Sequence, residues 1–391
     1  MSLPPADLII IGSGFYGMTV AHQAATKLGL RVLVLERRGH SGGNAHSAMD
    51  PDTGIETHTY GSHLFHCNSE EVWNYLNSFT PFTSYRHHVQ SVHRGKVYPM
   101  PINLGTICSF FGKAMTPDEA RAMIAAQRGE ISIDAARNLE EKAIALIGRP
   151  LYEAFIRGYT AKQWQTDPKL LPPDIITRLP VRYTFNARYF DDRFEGLPSE
   201  GYFTIFKRMA DHPHIDLRLN TDFFAVRDQL PKNVPILYTG AIDRYFDDRL
   251  GALSWRTLDF QREVMPTGDY QGAAVINYAD EDVPYTRIHE FRHLHPERTY
   301  QNDKTVIFRE FSRHAQKGDE PYYPVNTGQD KKTYDAYRCL ARQEKNVIFG
   351  GRLGSYRYLD MHQAIGAALK LFANVVQPHF AQQKPFQDMD E

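Results

Sequence analysis

The chain has 391 residues, and its 45 Lys plus Arg nearly cancel 46 Asp plus Glu, leaving a net charge of -1. That balance excludes a protein that coats nucleic acid or lies on an anionic membrane, because both need a surplus of Lys and Arg to meet phosphates. With 42% hydrophobic and 23% charged residues the composition is that of a folded protein, and the length suggests two or three domains at roughly 100 to 200 residues each.

Only Cys67, Cys108 and Cys339 are present, without paired spacing, which argues against a disulfide framework or zinc site and fits a reducing compartment. No signal-peptide pattern opens the chain, and no apolar run nears the roughly 20 residues of a membrane span. A cytoplasmic protein without membrane insertion is expected.

Leu8-Ile9-Ile10-Ile11 is an apolar run without polar alternation, the pattern of a strand buried on both faces of a parallel sheet. Gly12-Ser13-Gly14-Phe15-Tyr16-Gly17 follows at once, residues 18–25 read as a helix, and a second strand over residues 31–35 ends in Glu36. Strand, glycines, helix, strand and terminal acid together predict a dinucleotide-binding unit. Gly12 permits the tight turn, Gly14 lets the backbone approach a pyrophosphate, and Gly17 lets helix and strand pack closely. The helix N-terminus faces the phosphates. Glu36 is expected to accept from ribose hydroxyls and to repel a 2'-phosphate, which argues against NADP. A glycine turn without ligand is the bland alternative. A second glycine pair in Ser41-Gly42-Gly43-Asn44 gives another close approach to an extended cofactor, resembles FAD proteins of the glutathione-reductase type, and favours FAD over NAD.

Residues 116–158 carry helical signals: Thr116 as N-cap with Pro117 and Glu119, Asn138 as N-cap with Glu141, Gly148 as a left-handed stop, and Pro150 as a restart. They predict three short helices forming a small inserted bundle. Between Gly158 and the prolines at 168, 172 and 173, the stretch holding Tyr159, Lys162 and Trp164 reads as a loop. A mobile cover over a ligand and a Trp packed into a domain interface are equal readings of it. Residues 182–185, 273–278 and 305–308 read as strands. Tyr and Arg recur on the connections, at Tyr189, Arg287, Tyr322 and Tyr323. Arg offers a planar fork for phosphate and Tyr a face plus a hydroxyl, so a second phosphorylated ligand is implied. Near the C-terminus a strand runs into Gly350-Gly351-Arg352, and Asp360 with Gln363 opens a helix reaching about residue 376. That helix start suits the flavin edge that becomes negative on reduction, with Arg352 as a positive contact; plain capping is the alternative.

With these residues in hand, the chain resembles prokaryotic UDP-galactopyranose mutases from end to end. The matching stretches are residues 12–17, Gly42-Gly43-Asn44, Gly61-Ser62-His63-Leu64-Phe65-His66, Gly158-Tyr159-Thr160 with Lys162-Gln163-Trp164, residues 178–182, Pro284-Tyr285-Thr286-Arg287, residues 320–326, and Gly350-Gly351-Arg352 with Tyr358 and Asp360-Met361-His362. The resemblance implies an isomerase that interconverts UDP-galactopyranose and UDP-galactofuranose for glycan biosynthesis, with FAD that must be reduced although no net redox change occurs. In that family flavin N5 attacks the anomeric carbon, UDP departs, the sugar ring opens and contracts, and UDP is recaptured. The protein then needs no side-chain nucleophile.

Carried over by position, Arg178 and Arg287 resemble the pair that neutralises the diphosphate, and His63 resembles the histidine beside the flavin, its alternative being a buried structural histidine. Trp164 resembles the closing residue; Phe155 and Tyr159 resemble uridine contacts. Tyr189, Tyr323 and Tyr358 resemble phenols around the diphosphate, and Asn277 is a further substrate contact. Where some members have Asn near the uracil, this chain has His87-His88, so His88 is expected there. The cofactor set implied is residues 12–17, Glu36, Arg37, Gly43, Asn44, His63, Leu64, Arg352, Tyr358, Leu359, Asp360 and Met361. The family also implies three domains. These are a discontinuous Rossmann-like FAD domain (1–83, 197–240, 346–391), an inserted helical bundle with a mobile Trp loop (102–176), and an antiparallel-sheet substrate domain (84–101, 177–196, 241–345). Homodimers and an external reductant such as NAD(P)H complete the expectation. The competing classes are an FAD oxidase or dehydrogenase of the amine-oxidase or porphyrinogen-oxidase type, and a non-catalytic UDP-sugar-binding protein.

Overall fold

A computed structural model describes residues 4–129, 132–176 and 181–387. A five-stranded, fully parallel sheet runs in the order Val347–Phe349, Ile236–Tyr238, Leu8–Ile11, Val32–Leu35, Ile215–Arg218. The period of two along the central strands divides their side chains between two cores. Leu8, Ile10, Val32 and Val34 face a large core shared with the helices Phe15–Leu28 and Met361–Leu371. Ile9, Ile11, Leu33 and Leu35 face a second core rich in aromatics, including Tyr238, Tyr245, Phe349 and Tyr337 of the helix Gly328–Ala341. Both faces are therefore covered, which is why these strands read as continuous apolar runs.

A seven-stranded sheet stands apart, in the order Tyr323–Pro324, Trp255–Met265, Thr305–His314, Arg287–Glu290, Val275–Tyr278, Val89–His93, Lys96–Met100. Its pairs are antiparallel except Val275–Tyr278 with Val89–His93. Helices occupy the segment between. Pro117–Gln127 is capped reciprocally, Glu119 N–H donating to Thr116 Oγ1 at 3.3 Å and Thr116 N–H to the Glu119 carboxylate at 2.8 Å. Asn138 Oδ1 accepts Glu141 N–H at 2.9 Å to start Leu139–Ile147.

Three local expectations are corrected. Gly148 takes φ 79 but ψ 155, an extended conformation that only shares the positive φ of a left-handed stop. Residues 158–164 form a helix, continuing a π-helical turn at Tyr152–Arg157, and the left-handed stop falls at Gln165 with φ 48. Gly158 is helical, φ -69 and ψ -38, so its missing side chain serves close packing rather than a turn. Residues 182–185 form no strand. Arg182 N–H donates to Ile102 O at 2.9 Å and Thr184 O accepts from Leu104 N–H at 3.0 Å, but Phe185 is 71% exposed. Strand composition without a pleated neighbour to pack on does not make a strand.

Candidate active site

The parallel sheet presents its C-terminal strand ends to a cavity of about 970 Å³. The glycine turn is shaped by contacts. At Gly12, φ +102, a Cβ would lie 2.2 Å from Thr239 Oγ1, and at Gly17 one would lie 2.2 Å from Gly12 O. Ser13 is fully buried and donates from its backbone N–H (3.0 Å) and hydroxyl (2.8 Å) to Glu36 Oε2, while Arg38 N–H donates to Glu36 Oε1 at 2.9 Å. Glu36 thus closes the turn as well as lining the cavity. Arg37 and Arg38 both hydrogen-bond to Glu320, and Arg38 also lies over the Tyr60 ring, 4.5 Å from its centroid.

At the far end of the cleft Arg287 is held from two sides. Its Nε stands 3.2 Å from Glu310 Oε1, and its Nη2 donates to the Tyr159 hydroxyl. Glu310 in turn accepts from Thr286 Oγ1 at 2.9 Å and from His289 Nε2 at 3.1 Å, and His289 Nδ1 meets Ser62 Oγ at 2.8 Å. A carboxylate only accepts, so His289 carries its proton on Nε2 and takes the serine O–H at Nδ1. Burial alone would raise Glu310, but the Arg287 charge and the His289 and Thr286 hydrogen bonds hold it at about 2. Glu310 buries to 2% exposure, whereas the Arg287 side chain keeps 28%, facing the open cleft. The arrangement presents a fixed cation, paired with a buried carboxylate, to an incoming anion.

Between the two ends sits His63. Its Nδ1 is 2.7 Å from Gly61 O, which can only accept, so the proton sits on Nδ1 and Nε2 is a free acceptor. Its backbone N–H donates to His58 Nδ1 at 2.9 Å. Arg352 donates to Tyr322 O and, at 2.9 Å, to Pro321 O. Burial lowers it to about 10, so it stays charged at neutral pH. Gln363 Oε1 accepts Asp360 N–H at 2.9 Å at the start of the helix Met361–Leu371, whose first turn lines the cavity. His66 and His362 also meet here, ring centroids 5.0 Å apart, with His66 Nδ1 on Asp192 at 2.8 Å.

Burial keeps three histidines neutral: His63 falls to about 4, His46 to about 4 and His87 to about 3, all from 6.5. The unfolded chain takes protons below 6.5 that the folded chain refuses, so stability falls as pH drops, by about 1.4 kcal/mol per unit for each such group. His293, raised by Glu290 and Asp269 against its desolvation, works in the opposite direction, and one group does not offset three. The thermal midpoint is expected to fall steadily from pH 7 to pH 5; a flat or rising midpoint contradicts neutral burial.

The cavity gathers most of the expected residues. Gly12, Gly14, Phe15, Tyr16, Gly17, Glu36, Arg37, Gly43 and Asn44 line its nucleotide end. His63, Leu64, Arg352, Tyr358, Leu359, Asp360 and Met361 line the middle, and Tyr159, Tyr189, Asn277, Arg287 and Tyr323 line the far end. Ser13 lies behind the turn. Three substrate candidates stand elsewhere. Phe155 is 5% exposed among Tyr98, Phe110 and His93, Trp164 packs half-buried against the main core, and His88 is exposed with Nδ1 on Ala187 O at 3.2 Å. His87 lines the cavity instead. Arg178 lies outside the described residues. Sequence reading missed Arg38, His289 and Glu310. The signal for Glu310 was present: Val306, Phe308, Glu310 and Ser312 share the buried face of one strand, and a carboxylate at a core-facing position needs a partner.

Comparison with known proteins follows the same outline. The family model described as UDP-galactopyranose mutase matches residues 154–358, and that of an NAD(P)-binding Rossmann-like domain matches residues 10–79. A probable UDP-galactopyranose mutase of Klebsiella pneumoniae is 41% identical over 364 residues, 93% of either chain. A dTDP-fucopyranose mutase of Escherichia coli is 38% identical over 367 residues, 93% of this chain and 96% of its own. A crystal structure of a reduced UDP-galactopyranose mutase shares the fold with a TM-score of 0.70 at 15% identity, covering 97% of this chain and 96% of that one. Among the described residues no helix is long and apolar enough to cross a membrane.

Proposed function

We propose that this chain, which belongs to the UDP-galactopyranose mutase family of isomerases, interconverts UDP-galactopyranose and UDP-galactofuranose with FAD as a cofactor that is active when reduced. The observation that carries the reading is a single cleft joining a dinucleotide turn to one oriented arginine ringed by tyrosines, Tyr159, Tyr189 and Tyr323. The residues fit the cofactor. Gly12 and Gly17 leave no room for side chains in the turn, and Arg38 Nη1 is a buried donor without a protein partner beside it. Residues 12–17, Glu36, Arg37, Gly43 and Asn44 would hold the dinucleotide, and Leu64 with residues 359–361 the flavin.

When bound and reduced, the flavin supplies the nucleophile, N5, for the anomeric carbon. Arg287, with Arg178 as its proposed partner, binds the diphosphate, stabilises the charge that grows as UDP leaves, and keeps UDP in place for recapture. Burial raises the phenols of Tyr159 and Tyr358 and lifts Tyr323 to about 12, so all three keep their protons and act as donors to phosphate oxygens. Asn277 Oδ1 is buried without a partner in the same wall and suits a sugar or uridine donor. His63 Nε2 accepts a proton-bearing partner beside the flavin, and Arg352 adds positive charge where the reduced ring is anionic. An NAD(P)H-type reductant and a homodimer belong to the same proposal.

The test is incubation of the flavin-loaded protein with UDP-galactofuranose under dithionite and chromatographic resolution of products. Conversion to the pyranose is expected; none, with flavin bound and reduced, overturns the proposal. Because the E. coli relative is a dTDP-fucopyranose mutase, dTDP-fucofuranose is run in parallel, and the faster substrate assigns the nucleotide sugar. An amine-oxidase type enzyme would instead bleach its flavin with substrate and no added reductant.

Trp164 ends its helix beside the segment that leads toward Arg178. Trp164→Ala is expected to raise KM about tenfold with kcat within about threefold, as loss of a closing residue does. A lowered thermal midpoint with unchanged KM would assign it to packing.

A further inference from the structure

We infer that Lys162 is a positioning residue that clamps the helix Gly158–Trp164 to the substrate sheet and so sets Tyr159 against Arg287. Lys162 Nζ donates to four backbone carbonyls, those of Tyr278 (2.7 Å), Asp280 (2.7 Å), Val283 (2.9 Å) and Tyr285 (3.1 Å). All four belong to the end of the strand Val275–Tyr278 and the turn that leads into Arg287–Glu290. That hairpin carries Asn277 on one arm and Arg287 on the other. An ammonium has three protons, so four converging carbonyls saturate it, and a compact charge meets such a cage better than a flat guanidinium fork does.

Three further contacts fix the same segment. At Gly158 a Cβ would stand 2.3 Å from Ala279 O, so the helix backbone rides directly on the hairpin turn. At the other end Ser312 Oγ donates to Gln163 O at 2.7 Å, and His314 N–H donates to Gln165 Oε1 at 3.2 Å, both from the strand Thr305–His314 that also bears Glu310. Tyr159 lies between these fixed points and bonds to Arg287, whose far side is held by Glu310. Lys162 itself does not line the cavity. It acts through the pair that does.

Burial lowers Lys162 to about 8 against the opposing charges of Asp280, Asp282 and Glu281. Asp280 is engaged by His93 at 2.6 Å and by Arg94 N–H at 2.7 Å, and Glu281 lies 3.4 Å from Arg157. Above pH 8 the clamp loses its charge, so the wild-type rate is expected to decline there and a Lys162→Met variant to lack that limb.

The role rests on the mutase reading for its kinetics and not for its structural readout. In the flavin-loaded protein, Lys162→Met is expected to lower kcat/KM for UDP-galactofuranose by about 10² through misplacement, chiefly in KM. In a Tyr159→Phe background the same change should cost less than about threefold, because the contact it serves is already gone. Lys162→Arg should not restore the rate. Amide exchange should quicken at least tenfold in residues 158–164 and 275–290 while residues 8–35 keep their protection. Losses that multiply in the double variant, or exchange unchanged in both segments, overturn the inference. If Lys162→Met does not bind flavin, Lys162→Gln, which keeps two donors, is read in the same way. If the wild type converts no sugar, the mutase reading falls alone and the exchange comparison still decides.

Discussion

Arg287→Ala is expected to lower kcat/KM by about 10² to 10³, the usual effect of removing one oriented donor from a developing anion. The arginine is fixed before ligand arrives, by Glu310 at 3.2 Å and by Tyr159, so in the proposed reaction no reorganisation would be needed as charge builds on the departing diphosphate. Arg287→Lys should recover little of the loss, because an ammonium gathers its donors at one point, whereas the guanidinium spreads its fork between Glu310 on its Nε side and Tyr159 at Nη2. Steady-state rates with UDP-galactofuranose under dithionite check this, with the flavin spectrum as the control for folding. A drop below threefold would refute the assigned role.

Glu310→Gln should act first on stability. The carboxylate neutralises Arg287 in the free protein, and removing one partner of a buried pair costs about 3 kcal/mol or more. Because Arg287 keeps 28% of its side-chain surface, solvent moderates that figure. UDP would then supply the missing anion, so the shift in melting temperature on adding UDP should be larger in the variant than in the wild type. The pH dependence has a definite sign. Glu310 is held at about 2, below its usual 4.5, so its stabilisation is complete above 4.5 and disappears as pH falls through 2. The gap between variant and wild type should therefore be widest near neutrality and narrow in acid. An equal UDP shift in both proteins would show that Glu310 is not the internal counter-ion.

The nucleotide half was legible because its chemistry is local. Strand, turn, helix and acid follow one another within residues 8–36, and each has a backbone reason that a sequence displays. The helix starts at Thr116, Asn138 and Asp360 were legible for the same reason. The substrate half was less so. Glu310 and His289 become partners only when Arg287–Glu290 pairs with Thr305–His314, a relation that no spacing encodes. The stretch 158–164 looked like a loop because Gly158 reads as a breaker; its true reason is Ala279 O, more than 100 residues away in sequence. His88 was expected at the cleft and His87 is there, a one-residue displacement that reverses the face of an extended chain.

The Ser13 bonds to Glu36 tie the shape of the glycine turn to the state of the residue proposed to meet the ribose. Under the proposed cofactor reading, discrimination at one end of the dinucleotide would thereby be transmitted to the other. A cofactor bearing a 2'-phosphate would do more than meet a repelling carboxylate. By displacing Glu36 it would release Ser13 and loosen the backbone proposed to hold the pyrophosphate, so the two losses would arrive together and selectivity would exceed what charge repulsion alone can supply.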